Sequence, residues 1–542
     1  MRKLLEKTLR NAPSFMALAS LLGCNSVIGL NKLSVSETAK VQVNSDASAP
    51  ECTSNQDCTD QLTAAYTGDG GTTDGKIPGV CLKPDGKCVQ LTSEDCTTIT
   101  GDYLNDTAII VGSLFATQGT TATQNIPRQQ SATLAVEEVN TNGGIPTGVA
   151  GSSRQLVMVS CNTTGGLVRA ATHLVQDVRV PAIVGPNTSQ DTLDVSNKVT
   201  IQAGVVVISP TAVAASITGL LDNDMTWLMI PSDDQRAKLM MKNISDLEGS
   251  LKAKRGSNSI KLSIIYRNDA LGVGTKNSMD QLTLNGALLS DVTNAGDPVN
   301  GKVHIDPYSA TATATDFGQI ISKEVAFAPD IIVLAGTAES VTKVLTPLEQ
   351  QWTAANRPYY YMIDPSKGPE LLAAVSSNAN DIRLRIRGTG TTPTADSAPV
   401  TNTFNLDYGT RYNSSATAAS GTGPSYDAAY AIAFALATLK DQPITGANVA
   451  KGLRKLAGGS VTITTGSRDI LAAFQSLASG QTITGIGTNC PLEWDANGGV
   501  LGGTIEMWCI GISGTTPLFQ SSGLTYDVKT DQYAGTYTQC GQ

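Results

Sequence analysis

The sequence predicts an α/β protein built on parallel sheets, and three observations carry that prediction. The stretch 180–213 holds two short apolar runs, Pro181-Ala182-Ile183-Val184-Gly185 and Val205-Val206-Val207-Ile208, each followed by a polar turn. Both runs are too apolar and too rich in β-branched residues to be half exposed. With the helix-compatible segment 193–200 between them, the unit reads strand, helix, strand. The same alternation recurs from residue 107 onward, after a Gly-, Asp-, Thr- and Ser-rich stretch crowded with cysteines.

Composition sets the outer limits. A chain of 542 residues with 41% hydrophobic content can bury several cores, which excludes disorder throughout. Only 16% of residues are charged and 52 are glycine, a balance that suits loops and small-residue helices rather than coiled coil. The formal net charge is −9, and no long Lys/Arg cluster follows the N-terminus, so a nucleic-acid partner is not expected.

The N-terminus opens with Arg2, Lys3, Lys7 and Arg10 and continues into an apolar stretch over 15–22. That stretch is shorter than the roughly 20 apolar residues a bilayer span needs, so it reads as an export signal. It ends in Leu21-Leu22-Gly23-Cys24, which resembles a bacterial lipobox. The resemblance implies a signal peptide over 1–23 and lipidation of Cys24. The expected location is the bacterial cell envelope, lipid-anchored and facing the periplasm or cell surface. No later stretch approaches spanning length, so membrane contact is expected through the lipid alone. Residues 24–50 are polar and aperiodic, as a tether would be.

Ten cysteines in an exported chain point to disulfides. Cys52, Cys58, Cys81, Cys88 and Cys96 crowd a segment, 51–98, too short and polar to bury a core of its own. Zinc is the competing reading, but no CxxC pair occurs and both histidines lie far away, so no metal or cofactor is expected. The expectation is pairing among Cys52, Cys58, Cys81 and Cys88, and between Cys509 and Cys540. Cys96, Cys161 and Cys490 stay unassigned. The module's polarity predicts that it stands apart from the α/β region.

Beyond the module, a strand is predicted over 107–112 and a helix through 134–140. That helix stops at Asn142-Gly143-Gly144, where glycine supplies a left-handed cap. A strand over 155–159 and a helix over 167–178 come next, with His173 off that helix's apolar face and therefore exposed. The turns after 181–185 and 205–208 leave the carboxyl ends of parallel strands, where a crevice collects N–H groups. Thr188, Ser189 and Ser209 would line that crevice, and Asn187, in the same turn as Thr188, is counted with them as a candidate ligand-binding residue. The plainer alternative is that the hydroxyls only cap the following helices.

The run Leu134-Ala135-Val136-Glu137-Glu138-Val139-Asn140-Thr141-Asn142-Gly143-Gly144-Ile145, with Ile183-Val184-Gly185 and Val207-Ile208-Ser209-Pro210, carries a more specific signal. It resembles the type I substrate-binding proteins of ABC transporters, in lipoprotein form, and among them the leucine/isoleucine/valine-binding group, over roughly 102–512. The resemblance implies two Rossmann-like lobes joined by a multi-strand hinge. Lobe 1 would hold 102–231 and 387–483, and lobe 2 would hold 232–386 and 484–512, closed by a hairpin of 491–495 with 504–508. Residues 513–542 would form a C-terminal tail outside the match. Hydroxyls and N–H groups of Thr188, Ser189, Thr211 and Ala212 would hold a ligand carboxylate, and Asp364 would neutralise an ammonium. Leu271 and Thr337 stand where the family often places aromatic walls, which removes cation–π and packing surface.

Catalysis is not expected. His173 and His304 are the only imidazoles, and no Gly-x-Ser-x-Gly, P-loop or His-Glu-x-x-His pattern occurs. The expected function is capture of a small polar ligand, an amino acid, amide or similar, for an ABC importer whose permease is the partner. The alternative is a sensor or regulatory lipoprotein on the same fold that binds a partner protein.

Overall fold

The computed structural model describes residues 52–65, 76–83, 85–257, 259–294, 301–376 and 381–541. The expected signal peptide over 1–23, the expected lipidation site Cys24 and the expected tether over 24–50 lie outside the described residues. Among those described, no helix is long and apolar enough to cross a membrane.

The cysteine module consists of α1 (Asn55–Ala65) against the hairpin β1 (Gly79–Leu82) and β2 (Lys87–Gln90). Disulfides Cys52–Cys81 and Cys58–Cys88 hold it, as its lack of a core requires. It does not stand apart, contrary to expectation. The chain continues into β3 (Cys96–Thr100), which pairs antiparallel with a strand of lobe 1, and Cys96 bonds to Cys161 there. Val80 and Leu91 share a core with Leu174 and Val178, and Arg169 forks onto Asp95 at 2.6 and 2.8 Å. His173 is buried under this module rather than exposed, with its two ring nitrogens 3.0 Å from Leu91 O and from Asp177. Sequence composition hid these contacts because they depend on few apolar residues.

Lobe 1 runs through β4 (Ile109–Phe115), α2 (Ala122–Thr141), β5 (Leu156–Asn162), β6 (Ala182–Val184), α3 (Ser189–Val195), β7 (Val206–Ser209), α4 (Ala215–Thr218) and β8 (Thr226–Leu228). The six-stranded sheet has the order β8-β7-β6-β4-β5-β3, parallel except at β3. Gly143 and Gly144 both take positive φ after α2, and a Cβ on Gly144 would meet the Arg154 carbonyl at 2.5 Å. The cap therefore requires glycine.

The chain crosses to lobe 2 and forms α5 (Asp233–Arg255), β9 (Leu262–Arg267), α6 (Ala270–Ser278), β10 (Val303–Tyr308), α7 (Ala314–Phe327), β11 (Ile331–Ala335), β12 (Tyr359–Ile363) and β13 (Ile386–Thr392). It returns to lobe 1 for α8 (Thr422–Ala437), whose residues are buried on all sides. This explains a helix of alanines and aromatics with no polar face. The last crossing leads to β14 (Thr504–Ser513), β15 (Thr516–Asp527) and β16 (Gln532–Ala534).

The eight-stranded sheet of lobe 2 has the order β10-β9-β11-β12-β13-β14-β15-β16, parallel through β13 and antiparallel beyond. Two expectations change here. The segment 513–542 is no loose tail, because β15 and β16 extend the sheet and Cys540 bonds to Cys509. The hairpin of 491–495 with 504–508 does not form. Leu492, Trp494 and Val500 pack into the core of lobe 1 instead, and β14 pairs with β13 and β15. Alternating apolar residues mark a strand without naming its partner.

Candidate functional site

β6 and β7 end side by side, and the turns leaving them fasten to each other. Ser209 is fully buried; its hydroxyl donates to the Pro186 carbonyl at 2.5 Å and accepts from Ala212 N–H at 3.3 Å. Thr211 donates to the Asn187 carbonyl at 2.6 Å. The buried Ser189 oxygen accepts from both Val213 N–H and Ala214 N–H at 3.1 Å. Thr188 is exposed and caps α3 by accepting from Asp191 N–H at 3.1 Å. Asn187, Thr188, Ser189, Ser209, Thr211 and Ala212 thus come together in one knot at the carboxyl edge of the sheet. Their polar atoms are engaged largely within the two turns and the residues next to them, and Ser189 and Ser209 act as staples between the turns.

Beside this knot lies Arg128 of α2, 8% exposed. Its guanidinium donates to Ser420 O at 2.7 Å, Ser420 Oγ at 3.1 Å and Asn125 Oδ1 at 2.8 Å, all neutral acceptors. No carboxylate pairs with it among the described residues, and burial pushes its pKa down to about 10. A buried cation without a counter-charge costs free energy unless an anion supplies one. Arg128 adjoins Thr211 across Gly421, which sits at φ +79 and where a Cβ would come 3.1 Å from Arg128 Nε.

The wall on lobe 2 is built from charges. At the ends of β9, β10 and β11, Arg267 binds Asp269 at 2.6 Å and the Thr337 hydroxyl at 3.1 Å. Glu339 accepts from Tyr308 at 2.9 Å, from Thr337 N–H at 3.0 Å and from the Thr337 hydroxyl. Burial pushes Glu339 up, but these bonds and Arg267 more than offset it, so it stays ionised. Thr337, at a position expected to lack its aromatic, is therefore a hub of this network, and Leu271 turns into the lobe 2 core.

Asp364, at the end of β12, is not free to meet an ammonium unaided. It accepts from Thr391 N–H at 3.0 Å and lies 3.8 Å from Arg236. Arg236 in turn is 3.8 Å from Asp233, and both side chains are almost fully buried in the first turns of α5. Burial pushes the Asp233 carboxyl up to about 7, against the pull of Arg236.

The two lobes touch along α6. Ala270 N–H donates to the Gln190 side chain at 3.3 Å, and a Cβ on Gly274 would meet Asp233 at 2.7 Å and Ala214 at 3.5 Å. Glycine at 274 thus lets α6 lie against the turn that follows β7. Asp191, in the first turn of α3, is pushed up by burial and senses Arg267 and Asp269 from lobe 2.

Arg128, Asp233, Arg236, Arg267, Tyr308 and Glu339 are charged or polar residues near these strand ends that the sequence did not single out. The available signals were the i, i+3 pairs Asn125/Arg128 and Asp233/Arg236 in the opening turns of helices that follow strand ends.

The geometry agrees with comparisons to known proteins. Residues 108–470 match the family described as periplasmic binding protein. No curated protein sequence matches at a significant level. Among solved structures, the branched-chain amino acid transporter substrate binding protein LivJ from Streptococcus pneumoniae, in complex with isoleucine, superposes with a TM-score of 0.54. It is 18% identical, over 76% of this chain and 99% of that one. The leucine binding protein LivK from Thermotoga maritima gives 0.53 at 16% identity, over 76% and 98%. A type 1 periplasmic binding protein from Bordetella pertussis gives 0.53 at 15% identity, over 76% and 100%. At these identities the likeness is one of fold, while the family match covers well over half of the sequence: the chain belongs to the periplasmic binding protein family.

Proposed function

We propose that this protein is a surface-anchored lipoprotein that captures a small polar solute between its lobes and delivers it to the permease of an ABC importer. The observation that carries this reading is that the strand-end loops of the two lobes meet along α6, with Arg128 lacking a counter-charge on the lobe 1 side. An acidic group on the solute supplies that charge. The Thr188 and Thr211 edge then contacts the ligand, while Ser189, Ser209, Asn187 and Ala212 hold the edge in shape. Asp364, with Arg236 behind it, faces the ligand from lobe 2.

The related LivJ and LivK structures are named for branched-chain amino acids, which favours an amino acid or a close analogue. The polar network at Arg267, Thr337 and Glu339 favours a more polar side chain than leucine. Cys24 supplies the membrane attachment in this reading, and Cys24→Ser should leave the precursor unlabelled by palmitate.

A thermal-shift screen of amino acids, amides and small carboxylates tests the function. A saturable rise in Tm with one solute class is expected, weakened about tenfold or more in Arg128→Gln, since a bond to a charged group contributes about 1.5–3 kcal/mol. A screen with no stabilising solute, or a solute whose affinity survives both Arg128→Gln and Asp364→Asn, defeats the proposal.

A further inference from the structure

The outer edge of lobe 2, on β10 and α7, carries a second cluster of chemistry. His304 and Asp306 sit two residues apart on the edge strand β10 and so share one face. Glu324 comes down onto that face from α7. One ligand atom from each of the three lies within 4.8 Å of the others, and His304 Nδ1 is 3.6 Å from Glu324 Oε1.

Glu324 makes the cluster unusual. Its side chain is 0% exposed, yet neither carboxylate oxygen has a hydrogen-bond partner of ordinary geometry. His304 Nδ1 and the hydroxyl of Ser263, which pairs with His304 across the strands, are buried and unpartnered as well. Ser263 and Asp306 come close enough to Glu324 to influence it, yet four buried polar atoms crowd together there with no hydrogen bond of ordinary geometry, a costly arrangement, since buried polar groups in native proteins nearly always find well-formed partners. The His304 ring is fixed by stacking on Phe327, with centroids 3.6 Å apart.

We propose that His304, Asp306 and Glu324 bind a divalent transition-metal cation. One imidazole and two carboxylates form a donor set suited to zinc or manganese, with a water completing the shell. The cation would pair both Glu324 oxygens and the His304 nitrogen at once and would pin the edge strand to α7.

Two cations face the cluster. Lys323 holds Asp306 at 3.0 Å but is 61% exposed, so it can swing into solvent as a metal enters. Lys261 is committed to the Phe327 carbonyl at 2.7 Å and does not compete for the carboxylates. The rival occupant is a proton shared by Asp306 and Glu324. Burial pushes Glu324 up to about 8, reinforced by Asp306 and opposed by Ser263.

Calorimetric titration of Zn2+ into the chelator-treated full chain tests the proposal, with His304→Phe and Glu324→Gln as variants. His304→Phe keeps an aromatic ring for the stack on Phe327, and circular dichroism verifies that both variants fold. One equivalent should bind the wild type, and each variant should lose roughly tenfold to a hundredfold or more in affinity. Absence of stoichiometric binding by the wild type overturns the proposal. So does wild-type affinity in either variant. Failure of Zn2+ to bind, together with a raised Tm for Glu324→Gln at pH 8, would identify the shared proton as the occupant.

Discussion

Replacing Ser189 by alanine separates a staple from a ligand contact. The Ser189 oxygen accepts from Val213 N–H and Ala214 N–H, each at 3.1 Å, in a turn whose residues 212–214 are all buried. Removing it leaves two buried donors without an acceptor, at about 1–3 kcal/mol each. Partial relaxation of the turn reduces the sum, so a loss of roughly 2–4 kcal/mol is expected. With a urea m-value of about 3 kcal/mol/M for a domain of this size, the midpoint for lobe 1 should fall by about 1 M. The assay is urea unfolding of the ligand-free protein followed by tryptophan fluorescence, with Trp227 and Trp494 reporting from the core of lobe 1. Thr188→Ala is the contrast. Its exposed cap on Asp191 N–H is worth only about 1 kcal/mol. A Ser189→Ala protein with an unshifted midpoint would refute the staple and return the hydroxyl to the ligand.

The Cys96–Cys161 disulfide closes a 65-residue separation, so the Cys96→Ser/Cys161→Ser double variant should lose about 2–4 kcal/mol of lobe 1 stability by urea unfolding. Unchanged stability would mean that β3 and the contacts of Leu91 and Asp95 hold the module by themselves. Asp233 gives a pH signature with a definite sign. Its folded pKa, pushed up to about 7 by burial, exceeds its ordinary value of 3.8, so the native state holds the proton more tightly than the unfolded chain does. Its contribution is full below about pH 4 and is lost as pH rises through 7, a change of at most about 4 kcal/mol. Asp233→Asn should flatten that part of the stability profile measured by thermal unfolding; a variant that retains the wild-type slope would assign it to another group.

Much of the fold was legible because it rests on local pattern. The β-branched runs at 181–185 and 205–208, and the glycine cap after residue 142, each specify an element without outside help. The two turns at 186–192 and 209–212 were legible as a crevice, and the residues named there do converge. What their hydroxyls do was not legible, because Ser189 and Ser209 find partners 23 to 25 positions away in the chain, at Pro186, Val213 and Ala214. The final strands escaped for a similar reason. The apolar residues 491–495 and 504–508 read as neighbours, yet Trp494 packs edge-on against Trp227 in lobe 1 while Trp508 lies in lobe 2. Charges joined only in space, such as Arg267 with Glu339, or His304 with Glu324, leave no periodic trace.

Hydrogen exchange measured with and without the stabilising solute tests the central claim most directly. Capture between the lobes predicts that the solute slows exchange in both the 186–214 turns of lobe 1 and the 267–275 and 336–366 segments of lobe 2, because a ligand held by both walls ties their opening together. Protection confined to one lobe would contradict it.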